Sequence, residues 1–525
     1  MTLFRRHAGT RPIAILVAGL LLLAGCSPAD SAGAPASSVT ILGGAPVTLD
    51  PAVQGDLGSA QITAQLFESL TAFDASLTVE PALASGWVSS DGGRTITFTL
   101  RPNLAFSDGR PLTSADVVRS WLRLIDPAHP SPLASLLGEI HGATAYLAGK
   151  STDPASVGLR AAGNTVIVTF DQPATDFPAL VSGPSFGIVP ASIDDPATLS
   201  AGSFVGSGAY VLGKQTDSEL TFDANPKYWA GTAPIRTVHL LTTINGQSPV
   251  EAFEAGTVDY TGIDPSDASW LRYDRTLGPQ LRSVPSLSVT YYGFDVRQKP
   301  FDDPRVRQAF AAAVDWTRIV NLASSGDLTA ATSMVPPGIP GRSATDFLPA
   351  YDPASARQEL AAAGYPGGAG FPTVTLVSTD TGFDAAILAD LQRNLGITLK
   401  YETLDFNDYF DRLASAPPAF WTLSWVADYP GANDFLGLLL GTGSTNNYGH
   451  WTSADFDAAI ARATAATDPA GATAAFDAAQ AIVEQQVPVI PVAYGTGYAL
   501  SRKGLLGAAD NGLGILRFAS LAWAP

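Results

Sequence analysis

From residue 286 onward the sequence alternates apolar runs with capped amphipathic segments, and this alternation restricts the second half to an α/β architecture with a mainly parallel or mixed sheet. The apolar runs are PTVTLVS (372–378), ITLKYET (397–403), AFWTLSWV (419–426) and VPVIPVAY (487–494). Between them lie helix signals. In DDPRVRQAFAAAVD, Asp303 caps a helix that has Pro304 in its first turn. YDPASARQELAAAGYPGG starts at Asp352 and Pro353 and stops at Gly364. TSADFDAAIARATAA, from Thr452, is a further helix.

The first half adds a half-buried strand, RTITFTL (94–100), in which Ile96, Phe98 and Leu100 share one face. A turn, SDGRPLT, leads into TSADVVRSWLRLID. There Thr113 is the N-cap, Asp116 sits in the first turn, and Val117, Trp121 and Leu124 form the buried face. A chain of 525 residues exceeds one ordinary core and divides into two or three domains. A boundary is expected near Pro285, before LSVTYYGFDV.

The N-terminus reads as an export signal. Arg5, Arg6 and Arg11 precede PIAILVAGLLLLAG (12–25), a run shorter than the roughly 20 residues of a spanning helix. LLAGC ends at Cys26, the only cysteine, and resembles the lipobox of bacterial lipoproteins. That resemblance implies a diacylglyceryl group on the Cys26 thiol and Cys26 as the new N-terminus. SPADSAGAPASS follows as a flexible tether, taken to span 26–40. Removing residues 1–25 leaves 27 basic and 48 acidic residues, a net charge of −21. Such an excess argues against nucleic acid, and repulsion from anionic headgroups leaves membrane attachment to the lipid.

Catalytic and metal signatures are weak. The mature chain has His129, His141, His239 and His450, with no H-E-x-x-H and no helical metal spacing. GPSFG (183–187) has the G-x-S-x-G pattern but continues into Gly- and Pro-rich sequence, so Ser185 reads as a turn residue. GKST (149–152) lacks the upstream glycine of a phosphate loop. Carboxylates are abundant, but nothing singles out a glycosidase-like pair. No enzyme, metal or cofactor is expected.

LSWVADYPGANDFL (423–436) poses a different question. Asp428 follows a bulky apolar strand containing Trp421 and Trp425, and no Lys or Arg lies between Arg412 and Arg462. A desolvated carboxylate needs a cation. Either Asp428 is a solvated turn or capping residue, or its partner comes from elsewhere in the fold or from outside the protein.

Blocks along the whole mature chain together resemble the large solute-binding proteins of ABC importers, of the oligopeptide-, dipeptide- and nickel-binding type. They include TLDPA, QLFESLTAFDASLTVEPALASGW, GGRTITFTLRPNLAFSDGRPLTSADVVRSWLRLIDP, GSGAYVL, NPKYW, FEAGTVDY, QKPFDDPRVRQAFAAAVD and ELAAAGYP, in the family's order. The resemblance implies an α/β, two-lobed periplasmic-binding-protein-like fold of type II, with the ligand cleft between lobes. The first lobe would span 41–285 with an extra subdomain at about 71–195. The second would span 286–500, and the tail 501–525 would return to the first.

The resemblance also implies site residues. Trp425 and Asp428 in WVADYP match the stretch that meets the ligand, and in peptide-binding members the aspartate pairs with the peptide α-amine. Tyr291 and Tyr292 match the run entering the second lobe. They point opposite ways along a strand, so one of them is expected to face the cleft. Gly55 and Asp56 match a first-lobe loop offering backbone groups, and Tyr494 falls near an aromatic cleft position. Leu136 and Leu137 stand where oligopeptide binders carry aromatics, which leaves ligand length open. The expected protein is a monomeric, extracytoplasmic binding lipoprotein that carries peptides to a membrane permease. The alternative is the same fold with a metal chelate, opine or sugar.

Overall fold

The computed structural model describes residues 37–525 apart from 75–76, 130, 194–203, 325–327, 341 and 509–511. The export signal, Cys26 and most of the tether lie outside the described residues. The tether ends earlier than residue 40. Ser38–Leu42 is already a strand, paired in parallel with Thr237–Leu241. Val39 and Ile41 alternate into the core at 1% and 3% exposure, which is what commits these residues to a sheet.

One long mixed sheet organises the molecule. Its strands run, in spatial order, Lys400–Thr403, Thr375–Ser378, Phe420–Val426, Leu281–Phe294, Val489–Ser501, Tyr260–Ile263, Ser38–Leu42, Thr237–Leu241, Glu219–Ala224 and Tyr210–Gln215. The two longest strands, Leu281–Phe294 and Val489–Ser501, pair antiparallel through the middle and tie the two ends together. Residues 285 and 286 fall inside the first of them, beside an irregularity in its pairing between Pro285 and Val289. At the second-half end, helices Pro304–Ala313, Pro353–Ala362 and Asp384–Leu395 cover one face around Phe294, Phe310 and Phe420. The Asp303 and Asp352 caps form, with carboxylate oxygens 2.9 Å from the amides of Arg305 and Ala354. Gly364 takes φ +98°, a conformation that only glycine adopts freely. The last of the expected helices begins at Ala454, with Ser453 as its cap.

A separate four-stranded antiparallel sheet, Ala84–Ser90, Thr95–Leu100, Thr165–Thr169 and Leu159–Ala162, packs against helix Ser114–Leu124. Asp116 accepts the Thr113 amide at 2.9 Å and its hydroxyl at 2.7 Å, closing the helix start. Trp121 is the hub of this core. It meets Phe98, Phe177 and Phe186 edge-on at 6.3, 5.8 and 5.8 Å, and its indole N–H donates to the Phe186 carbonyl at 3.2 Å. The Trp121→Ala variant is expected to lose about 3–5 kcal/mol of stability in chemical denaturation, because a fully buried indole leaves a cavity and an orphaned carbonyl.

The C-terminal residues fold back on helix Leu57–Leu66. Gln61 and Gln65 accept the amides of Leu516 and Phe518 at 2.8 and 2.9 Å. Among the described residues no helix is long and apolar enough to cross a membrane.

Candidate functional site

Strand Phe420–Val426 ends where its neighbour turns toward the other half of the molecule. Trp425 pairs with Val289, and the Ala427 amide donates to the Leu287 carbonyl at 2.8 Å. The chain then leaves the sheet, and Asp434 fixes its path. One Asp434 oxygen, Oδ2, accepts both the Trp425 indole N–H at 2.9 Å and the Asp428 amide at 3.2 Å. The local capping role that an aspartate here could play thus belongs to Asp434. The Asp428 side chain accepts no N–H, and its Oδ2 is buried without a partner.

The first-half subdomain supplies the opposite wall. The Tyr429 hydroxyl donates to Asp176 Oδ2 at 3.0 Å, joining residues 253 apart in sequence. The Thr175 amide and hydroxyl donate to the Thr464 carbonyl at 3.2 and 2.9 Å. Asp176 leads into the short helix Phe177–Leu180, and Phe177 is packed against Trp121. The aromatic core of the subdomain therefore sets where Asp176 stands. Glu139, after the turn Ala134–Leu137, completes a group of four acids.

Asp176 and Asp428 are half-buried and Glu139 is exposed, so these three stand about the cleft between the halves rather than in a packed core. Dehydration disfavours a carboxylate's charge. Burial pushes the Asp428 carboxyl up to about 7. Glu139 is raised by partial loss of solvation and then by the neighbouring Asp176 charge. Asp176 is raised by burial, against the opposing Tyr429 hydrogen bond. Asp434, 0% exposed, is raised well above the usual range by burial and then by the Asp428 charge. Among the described residues no basic side chain contributes to any of the four.

A small cavity of about 40 Å³, partly open to solvent, lies beside the Asp428 backbone; Glu68, Ser69 and Arg517 belong to its polar lining. Ala64, Phe67, Phe73, Leu513 and Ile515 make its apolar lining. Gly183 forms part of its wall, and a Cβ placed there would lie 3.5 Å from the Asp428 carbonyl oxygen.

The other expected positions fare differently. Tyr291 and Tyr292 do point to opposite faces. Tyr291 packs edge-on against Trp421 at 5.7 Å on the side of Tyr429, but is only 1% exposed. Tyr292 lies in the helix-covered core and donates to Asp384 at 2.5 Å, so it does not reach the cleft. Tyr494 is corrected to a structural role. Its hydroxyl binds the Ser333 amide at 2.9 Å and carbonyl at 2.8 Å, and pins that loop. Asp56 is the N-cap of helix Leu57–Leu66, its carboxylate 2.8 Å from the Ser59 amide; the adjoining Gly55 is exposed. Ser185 lies in a turn and accepts from Gln54 at 2.5 Å, with no histidine partner. Among the described residues no group of side chains is arranged to hold a metal ion.

Two halves joined by two long central strands, meeting over a chamber lined from both sides, define a two-lobed binding protein with its site between the lobes. Residues 78–447 match the bacterial extracellular solute-binding proteins, family 5 Middle, and the chain belongs to that family. It is 32% identical over 478 residues, 86% of either chain, to the probable deoxycholate-binding periplasmic protein YgiS of Escherichia coli K12. It is 28% identical over 486 residues, 89% of either chain, to the periplasmic murein peptide-binding protein MppA of the same organism. The solved structure of the Escherichia coli murein tripeptide binding protein MppA superposes with a TM-score of 0.80 at 26% identity. That match covers 94% of this chain and 99% of the other. The fold is the α/β two-lobed, type II periplasmic-binding-protein fold.

Proposed function

We propose that this protein is the extracytoplasmic substrate-binding lipoprotein of an ABC importer, capturing peptides through their free α-amine at Asp428 and handing them to a membrane permease. One observation carries the ligand reading. Among the described residues the Asp428 carboxylate caps nothing and meets no cation, and its Oδ2 is buried without a partner. A buried charge left in that condition is costly, and a ligand ammonium removes the cost. Trp425 contributes by holding Asp434, which in turn holds the Asp428 backbone. Titration with free-amine peptides, followed by tryptophan fluorescence, tests the reading. Saturable binding without cleavage of the peptide is the expected result, and cleavage would point to an enzyme.

A non-peptide solute is favoured by one observation, the 32% identity to a probable deoxycholate-binding protein. Such a ligand would leave Asp428 unpaired, and its own carboxylate would be repelled by the acids. Native mass spectrometry of the mature protein as purified separates the two readings by the mass of any retained ligand.

Anchoring is proposed to rest on Cys26 alone. The Cys26→Ser variant is expected to leave the membrane fraction while binding ligand as the parent does. Retention of the variant in membranes at parental levels would mean that another segment holds the protein.

A further inference from the structure

Asp434 is 0% exposed and uses its two oxygens unequally. Oδ2 accepts the Trp425 indole N–H at 2.9 Å and the Asp428 amide at 3.2 Å. Oδ1 is buried and, among the described residues, meets no donor. Asp428 is half-buried, and its inward oxygen, Oδ2, is in the same condition. The two bare oxygens belong to adjoining groups. The oxygens of one carboxyl are about 2.2 Å apart, and the Asp428 side chain branches beside the amide that Asp434 holds. Asn433 Oδ1, the other bare oxygen of this loop, is turned against Gly437 instead.

As a carboxylate, Asp434 would be a charge with neither water nor a cation beside it. Asp428 and Tyr429 face it from its own loop, Trp425 from the preceding strand and Asp176 from the first half. Among the described residues no Lys, Arg or His acts on it. A neutral carboxyl avoids that cost, but its O–H must then find an acceptor. A single proton on Asp434 Oδ1, donated to Asp428 Oδ2, gives both bare oxygens a partner. Burial and then the Asp428 charge raise the Asp434 carboxyl, the direction this requires.

Building on the α-amine reading of Asp428, we infer that Asp434 is a positioning residue acting as a neutral acid, holding the Asp428 amide with Oδ2 and donating from Oδ1 to the Asp428 carboxylate. Asp428 is thereby fixed at main chain and side chain together, and its Oδ1 is left for the ligand. The O–H is a neutral donor and supplies no counter-charge, so an ionised Asp428 still calls for a cation. With Asp434 neutral the pair carries one negative charge, the amount that one ammonium answers.

Infrared spectroscopy of the empty protein with isotope-labelled aspartate tests the protonation without any ligand. At about pH 8, where Asp428 is mostly ionised, the parent and Asp434→Asn spectra are subtracted. The difference is expected to hold a carboxylic-acid carbonyl band, and a carboxylate band in its place overturns the inference. Titration with trialanine reads the positioning. Asp434→Ala is expected to bind it about tenfold more weakly than the parent, and Asp434→Asn to recover most of that loss, because its amide N–H replaces the acid O–H. Circular dichroism verifies that both variants fold. An Asp434→Ala protein that binds as the parent does overturns the inference, as does an Asp434→Asn protein as weak as Asp434→Ala. If trialanine binds none of the three while the acid band is found, the α-amine reading of Asp428 fails and the neutral Asp434 stands.

Discussion

Replacing Asp428 by asparagine is expected to weaken binding of free-amine peptides by about 30-fold or more, because truncating one partner of a desolvated charge pair typically costs about 2–5 kcal/mol. The substitution keeps the side-chain shape, and the protein itself loses no hydrogen bond from an N–H, since the Asp428 carboxylate accepts none. Its backbone amide remains bonded to Asp434. The folded protein should therefore be as stable as the parent, or more so, since an unpaired buried carboxylate is replaced by a neutral amide. Fluorescence titration and thermal unfolding read these two effects separately. An asparagine variant that binds free-amine peptides as well as the parent would make Asp428 a loop residue with no ligand role.

Peptide affinity should fall by about 50-fold between pH 7 and pH 5. The factor follows from a carboxyl that must lose its proton before pairing, two pH units below a midpoint near 7. The sign is fixed by the direction of the shift. Burial raises the Asp428 carboxyl in the empty chamber, so below pH 7 that form holds a proton which an incoming ammonium must displace. On the alkaline side a peptide amine with pKa of about 8 loses its own charge, so affinity should peak between about pH 7 and 8. Asp428→Asn should flatten the acid limb.

Stability of the empty protein runs the opposite way. The folded form holds a proton at Asp428 that the unfolded chain releases near pH 4. Its stability in this lobe arrangement should decline as pH rises from about 4 to 8. A bound cationic ligand should remove that decline. Thermal unfolding across this range, with and without peptide, is the check, and a stability that rises with pH in the empty protein would contradict it.

What was legible in the sequence was what depends on neighbours in the chain. Thr113 with Asp116, Asp303 with Pro304, and Asp352 with Pro353 announce helix starts, because a cap is a contact over two or three residues. Alternation in RTITFTL places Ile96, Phe98 and Leu100 on one face for the same reason. Asp428 stood out through its tryptophan-rich strand and the absence of nearby cations. Asp434 was six residues further on, and its clamping role depends on a loop conformation that no local pattern encodes. Asp176 was silent, since its contact with Tyr429 spans 253 residues and forms only when the lobes meet. Tyr494 was read as a cleft aromatic because an aromatic near a cleft serves equally well to pin a loop, as its hydroxyl does at Ser333.

The central claim is that Asp428 holds the ligand's ammonium, and a four-way calorimetric cycle tests it most directly. The parent and Asp428→Asn proteins are each titrated with one peptide in its free-amine and N-acetylated forms. Pairing predicts a coupling energy of about 2 kcal/mol or more, with the acetylated peptide weak on both proteins and nearly insensitive to the substitution. Additive effects, with coupling near zero, would contradict it.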